Sequence, residues 1–209
     1  MARKFERCLK QLMNAYKEAG ARWFLTFETF AGNQMEYTTV TPVIKFGDLD
    51  SSSVVTKTLS EAERERLFRK FARCYTAQTR EYATPQTDLE IRTVNIPLGI
   101  YWVETNTLVA PGKMIDYLTW LKNDYRPALE KAGVARFQVL RPIFGASAGE
   151  IVTMRMLKNL AEIDAGAVLS RALSEEKTQE IAAKSVPLVS SSKTMIVRMR
   201  TDLSYSERW

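Results

Sequence analysis

Residues 21–89 laid over 135–203, at a constant shift of 114 and without a gap, coincide at 14 of 69 positions. Unrelated sequence of ordinary composition would give about four or five. The matches fall in corresponding places: AlaArg at 21 and 135, Phe30 with Phe144, Glu36 with Glu150, Thr39 with Thr153, Asp50 with Asp164, LeuSerGlu at 59 and 173, and AspLeu at 88 and 202. One extra residue, Val134, then brings LysGluAlaGly (17–20) onto GluLysAlaGly (130–133). The chain is a tandem duplication, divided as residues 1–91 and 92–209. Its fold must be one that half of the chain nearly makes and a second copy completes.

The second copy shows the element order more clearly. Residues 100–109 are a β-branched and aromatic run broken by AlaProGly, and Pro111 stands where proline is favoured at the start of a helix. Ile115, Leu118, Leu121, Tyr125 and Leu129 follow at spacings of three and four, one apolar stripe ended by Gly133, with Pro127 predicted to kink or split the last turn. Residues 135–144 alternate, GlyAlaSerAlaGly turns the chain, and residues 150–157 return as a hairpin partner. A short helical stretch over 160–169 precedes a second helix capped by Ser174. Residues 194–200 alternate apolar and basic side chains as an edge or barrel strand does. The order is β-α-β-β-α-β.

That order predicts an α+β fold: two tandem ferredoxin-like (split βαβ) repeats, whose antiparallel sheets pack as a pseudo-dimeric α+β barrel. The strand ending in ValAlaProGlyLys (109–113), the helix with TyrLeuThrTrpLeuLys (117–122), the GluLysAlaGly turn and the closing strand 193–200 resemble the NIPSNAP-like members of the dimeric α+β barrel superfamily. The resemblance implies a tandem barrel that binds a small molecule or a protein partner, as a monomeric pseudo-dimer or a homodimer. One feature departs from it. The start of the first helix in copy two, Pro111, maps to a place before Met1, so copy one lacks its opening strand. Upstream residues of a longer product, the joining stretch 90–99 or the tail 204–209 are the candidates for that slot.

Charge and composition exclude several function classes. With no histidine anywhere, a Ser-His-Asp triad, a histidine general base and a His-ligated haem or zinc site are impossible within this chain. No phosphate loop, GxGxxG, HExxH or CxxC spacing occurs, so no cofactor and no metal are expected. Cys8 and Cys74 both lie on predicted helices and read as small buried hydrophobes. The net charge of +6 invites a nucleic-acid partner. Its densest cluster, residues 61–75, mixes acids with bases and sets Leu67, Phe68, Phe71 and Tyr75 at helical spacing, which argues for an amphipathic helix and against nucleic acid. No run is apolar enough to span a bilayer and no signal core opens the sequence, so a cytoplasmic location is expected.

The candidate site lies on the strands. Glu104, Arg155, Arg198 and Arg200 interrupt apolar runs of copy two. The two-residue period puts Arg155 on a face with Thr153, and Arg198 with Arg200. If these faces line the barrel, guanidinium groups and a carboxylate converge on a small anionic or polar ligand. In copy one, Thr41 stands at the place of Arg155 and Thr84 at that of Arg198, while Trp23, Phe24, Phe27 and Tyr37 make its sheet more aromatic. The expected ligand-binding set is Glu104, Thr153, Arg155, Arg198 and Tyr37. Beside the binding protein stand two alternatives. One is a cofactor-independent monooxygenase- or isomerase-like enzyme acting on a small aromatic or polar substrate, with Glu104 or Tyr37 relaying protons. The other is a basic module for membrane or nucleic-acid surfaces.

Overall fold

The structure, a computed structural model, describes residues 2–32, 35–51, 54–93 and 99–207. The first pass of the chain comprises α1 (Ala2–Glu18), β1 (Trp23–Ala31), β2 (Tyr37–Val40), the single turn α2 (Asp48–Ser51), α3 (Glu61–Phe71), β3 (Tyr82–Pro85) and the two-residue β4 (Ile91–Arg92). The second comprises β5 (Tyr101–Val109), α4 (Met114–Trp120), α5 (Arg126–Lys131), β6 (Arg136–Phe144), β7 (Glu150–Met156), α6 (Ala161–Asp164), α7 (Glu175–Ser185), β8 (Val189–Met199) and β9 (Tyr205–Ser206). Its strands lie in the order β8-β5-β7-β6, with the first strand inside the sheet, which is the split βαβ arrangement.

From the first helix of each copy onward, the repeat seen in the sequence recurs in the elements. A shift of 114 carries α3 onto α7 and their caps onto each other: Ser60 accepts from the Glu63 amide, and Ser174 from the Lys177 amide. At α3 the Glu63 carboxylate returns to the Ser60 amide at 2.9 Å and completes a capping box. The same shift carries the turn Thr87–Leu89 onto Thr201–Leu203, and β4 onto β9. The shared AlaGly is a helix stop. Gly20 and Gly133 are left-handed, and the amides of Ala21 and Val134 reach back to the carbonyls of Tyr16 and Leu129, each at 3.0 Å.

Pro127 does break the helix, in a specific way. Leu121–Tyr125 form a π-helical turn between α4 and α5, closed by the Arg126 amide on the Leu121 carbonyl, and Pro127 opens α5. The turn holds one residue more than α1 does. Buried Leu9 and Ala15 are six apart in α1, whereas the corresponding buried Leu121 and Ala128 are seven apart.

Two compact units divide the chain, and they cut across the repeat boundary at residue 91. The first holds Met1–Thr29, Asn33–Gln78 and Arg198–Trp209; the second holds Phe30–Gly32 and Thr79–Val197. Each repeat therefore gives its closing segment to the other unit. In the first unit β1 pairs β2 on one side (Leu25 opposite Val40) and β9 on the other (Trp23 opposite Ser206). Its core joins Cys8, Leu9, Met13, Phe24, Leu67, Phe71 and Leu203. In the second unit β3 and β4 both pair β6. There Tyr117, Leu121, Leu129 and Ile181 of the helices pack on Val109, Phe137, Val139 and Ile151 of the sheet. In the second repeat β7 lies between β6 and β5, while among the described residues its counterpart β2 pairs with β1 alone. The joining stretch and the tail, where described, supply β4 and β9 instead of a neighbour for β2; residues 94–98, 208 and 209 lie outside the described set.

Gly145, in the hairpin turn after β6, has φ +87°, and a Cβ there would fall onto the Arg80 carbonyl oxygen. Gly112, at φ +75°, has open space around it. Gly112→Ala should cost about 1–2 kcal/mol of left-handed backbone strain, and Gly145→Ala clearly more. Urea unfolding of both variants checks the difference, and equal losses would contradict the close approach.

Candidate functional site

Register decides which strand residues can meet. In the second unit Val103 lies opposite Arg155 and Glu104 opposite Met154, so these pairs point to opposite faces of the sheet. Phe137, Val139 and Ile151 identify the face of Arg155 as the helix-covered one. Thr153, opposite Thr105 and Val139, shares it. Thr153 and Arg155 are thus neighbours on one face, as the period predicted, and Glu104 stands back to back with them.

Beneath the helices, Arg155 meets an aromatic layer. Trp120 stacks on Tyr125 at 5.1 Å between ring centroids, Tyr117 lies 5.5 Å from Trp120, and Tyr125 meets the Phe137 edge at 5.8 Å. Trp120 donates its indole N–H to the Ile181 carbonyl at 3.0 Å, which fixes the ring. Burial pushes the Tyr125 phenol above its ordinary value, against the nearby Arg155 charge. Burial likewise raises Tyr117, whose hydroxyl hydrogen-bonds Thr107. Burial is also what lowers the Arg155 guanidinium, opposed by Tyr125 and Glu162. Its Nη1 is buried and makes no hydrogen bond among the described residues. Glu162 pairs with Arg171 at 3.5 Å, and these two, with Met156, Lys158 and the turn 132–135, line a cavity of about 10 Å³, the size of one water. A buried guanidinium nitrogen and a phenol, both able to donate, thus lie near each other, with Glu162 and Arg171 also acting on the guanidinium. That combination suits an oxygen atom carrying developing negative charge on an aromatic molecule.

The opposite face carries Trp102, Glu104, Asn106, Leu108, Val152, Met154 and Met156. Glu104 is half-buried there and accepts a hydrogen bond from Asn106 at 3.0 Å. Glu81 feels that carboxylate: burial, then Glu150 and Glu104, push it up. Convergence of Glu104 with Arg155 does not occur, because a one-residue step along a strand reverses the side chain.

Arg198 and Tyr37 belong to the first unit, in a network centred on Arg200. Arg200 makes a two-pronged contact with Asp202, both bonds 2.9 Å, and reaches Glu6 at 2.5 Å and Glu28 at 3.1 Å. Arg198 reaches Glu28 at 2.8 Å, and Tyr37 donates to Glu6 at 2.9 Å. Three carboxylates thus surround two guanidinium groups. The network ties α1, β1, β2 and the end of β8 together, and its cations are already matched by acids where an anionic ligand was expected. Burial, with the Glu6 contact second, pushes Tyr37 up to about 12, so it remains a phenol at neutral pH and cannot serve there as a base.

Sequence reasoning placed Arg155 and Thr153 together and missed Trp120 and Tyr125 as companions. The available signal was the apolar stripe that already held Tyr125, with Pro127 marking where the π turn Leu121–Tyr125 gives way to α5.

No protein-family model matches the chain, and none of the curated proteins compared with it matches in sequence. The NIPSNAP-like resemblance read from ValAlaProGlyLys and its neighbours therefore gains no support. Solved structures do match. A candidate monooxygenase from Lactobacillus acidophilus NCFM superposes with TM-score 0.62 at 11% identity, over 99% of this chain and 90% of that one. An anthrone oxidase-like protein gives 0.62 at 12%, over 99% and 88%. A candidate monooxygenase from Fusobacterium nucleatum subsp. nucleatum gives 0.56 at 8%, over 95% and 87%. The shared property is the fold. It is an α+β fold built on an antiparallel sheet, in agreement with the element order.

The Arg200 network makes the first unit sensitive to acid. Contact with Arg200 lowers Glu6 below its reference 4.5 and Asp202 below 3.8. Both carboxylates have lower values folded than unfolded. Their stabilisation is therefore full above those reference values and is lost as the pH falls through the folded ones. Arg200→Met should cost about 3 kcal/mol at pH 7, and its thermal midpoint should fall less than that of the parent between pH 5 and pH 2. Thermal melts across that range check both effects, and parallel pH profiles would contradict them.

Proposed function

We propose that this protein is a cofactor-independent oxygenase of small aromatic compounds, with its site in the helix–sheet layer of the second unit. The observation that carries the reading is the buried Arg155 Nη1, without a hydrogen-bond partner among the described residues, beside the Tyr125 phenol in a layer of aromatic rings. An orphaned charged donor in such a layer is costly, and a substrate oxygen would satisfy it. The names of the solved structures that share the fold, two candidate monooxygenases and an anthrone oxidase-like protein, support the same reaction class.

The reaction consistent with these groups starts from an aromatic ketone carrying an activated methylene. Loss of a methylene proton, with Glu162 as the nearby carboxylate, gives an enolate whose oxygen is held by Arg155. The enolate carbon adds dioxygen to form a hydroperoxide. Breaking of the O–O bond, with loss of the second methylene proton and with Tyr125 protonating the departing oxygen, gives a carbonyl and water. In balance, each methylene and each dioxygen molecule yield one ketone carbonyl and one water: the carbon gives up four electrons and dioxygen takes the same four. One oxygen atom enters the product and the other leaves as water with both methylene hydrogens. Dioxygen is the co-reactant. The Trp120 and Tyr125 rings, stacked on one another at 5.1 Å, would have to part to admit the ring system, and around it they would exclude water from the carbanion.

Anthrone serves as the probe substrate, followed by anthraquinone absorbance and oxygen uptake without added cofactor. The wild-type chain should consume one oxygen per product. Arg155→Gln and Tyr125→Phe should each lower kcat about 10²-fold with the fold retained, and Glu104→Gln should leave turnover unchanged. A wild-type rate equal to that of buffer overturns the reading. Loss of turnover in Glu104→Gln alone would move the site to the other face of the sheet.

A further inference from the structure

The first unit carries a charge pattern that neither its fold nor the proposed reaction uses. On α1, Arg3, Arg7 and Lys10 follow one another at i, i+4 and i+7, with Lys4 beside them, and all four are exposed. On α3 and its final turn, Arg66, Arg69, Lys70 and Arg73 stand at i, i+3, i+4 and i+7, again all exposed. The two helices run antiparallel. Phe5, near the start of α1, meets Phe71 at the end of α3 at 5.5 Å, while Thr58, just before α3, donates to the Ala15 carbonyl at 3.2 Å. This brings the two stripes to the same end of the helix pair, where Arg7 and Lys70 both act on the Cys8 thiol. The exposed acids Glu18, Glu61 and Glu63 lie at the other end, while Glu65 stands beside Arg69 and Asp202 near Lys10. Among the described residues, Arg69 is the one of the eight cations in a salt bridge, to Glu65 at 3.3 Å.

Two independent observations set this patch apart from a solvated surface that the fold requires. The second repeat builds the same helices without it. Positions 66, 69, 70 and 73 become Glu180, Ala183, Lys184 and Pro187. Matching Phe5 and Leu9 to Tyr117 and Leu121 puts Ile115, Asp116, Thr119 and Lys122 at the places of Arg3, Lys4, Arg7 and Lys10. The second observation is where the charges stand. Arg3 and Lys4 occupy the first turn of α1, which holds no acid, against the positive end of the helix dipole.

We infer that this helix pair docks the protein on an anionic phospholipid surface. The apolar faces of both helices are spent on their own core of Leu9, Met13, Leu67 and Phe71, so contact is electrostatic, with half-exposed Phe68 as an apolar neighbour. Two helices lying side by side present long, flexible cations to a broad plane of headgroups. The cations lie along the sides of both helices as well as at their ends, a spread that follows a plane of headgroups more closely than a single nucleic-acid groove.

The test uses the full chain in flotation with phosphatidylcholine vesicles, with and without phosphatidylserine, and in parallel with a DNA duplex. The expected result is binding to the phosphatidylserine vesicles at low salt, loss of it at high salt, and weaker binding to the duplex. Replacing Arg66, Arg69, Lys70 and Arg73 by Gln should lower vesicle affinity about 10²–10³-fold. A charge-matched control, Lys113, Lys122, Lys177 and Lys193 to Gln, should lower it far less. Arg3→Gln with Lys4→Gln should weaken vesicle binding and raise the thermal midpoint together, a combination that a structural role for these cations does not give. Equal binding to both vesicle types, equal loss in the control, or tighter binding to the duplex overturns the inference.

Discussion

Two short backbone ladders hold the arrangement together: Ile91–Arg92 against β6 in the second unit, and Tyr205–Ser206 against β1 in the first. Each is the last piece of one repeat built into the unit that the other repeat began. In the first unit the returning segment also supplies the Leu203 carbonyl, which takes the Thr26 hydroxyl at 2.7 Å, and the Ser204 hydroxyl, which takes the Thr26 amide at 2.9 Å. Thr26 is fully buried, so these bonds cannot be replaced by water. The unit is complete only when residues nearly the whole chain apart have met. Such non-local closure slows folding and makes it cooperative. A repeat expressed alone would lack its seal.

Most of the fold was legible in the text of the chain because repetition and periodicity are local signals. Ser60 and Ser174 announced the same helix twice, Gly20 and Gly133 the same stop, and the apolar alternation over 135–157 gave the hairpin directly. The candidate site was legible only in part. Period-two reasoning paired Arg155 with Thr153, which the register bears out. It could not tell which face of the sheet would carry the helices, and that choice separates Arg155 from Glu104. Nor could it foresee that Arg198 and Arg200 would be matched by Glu6 and Glu28, since those partners come from α1 and β1 at the far end of the chain.

The two repeats have divided their chemistry. Where the second has Arg155 under an aromatic layer, the first has Thr41, and its polar interior is instead the Arg200 network. One half keeps a lone buried guanidinium beside a phenol; the other pairs its guanidinium groups with carboxylates. The first arrangement leaves donor capacity for a ligand, and the second uses it to hold elements together.

The π turn has a consequence for kinship. One residue added inside a helix offsets all that precedes it against all that follows. With Val134 as a second added residue, repeat two stands in three registers to repeat one: 112 at Leu9 and Leu121, 113 at Gly20 and Gly133, and 114 at Ala21 and Ala135. A comparison at any fixed offset reads part of the ancestry and scrambles the rest, while the packed layers absorb the addition and keep their neighbours. Insertions of this kind wear away the written record of descent faster than the shape it encodes.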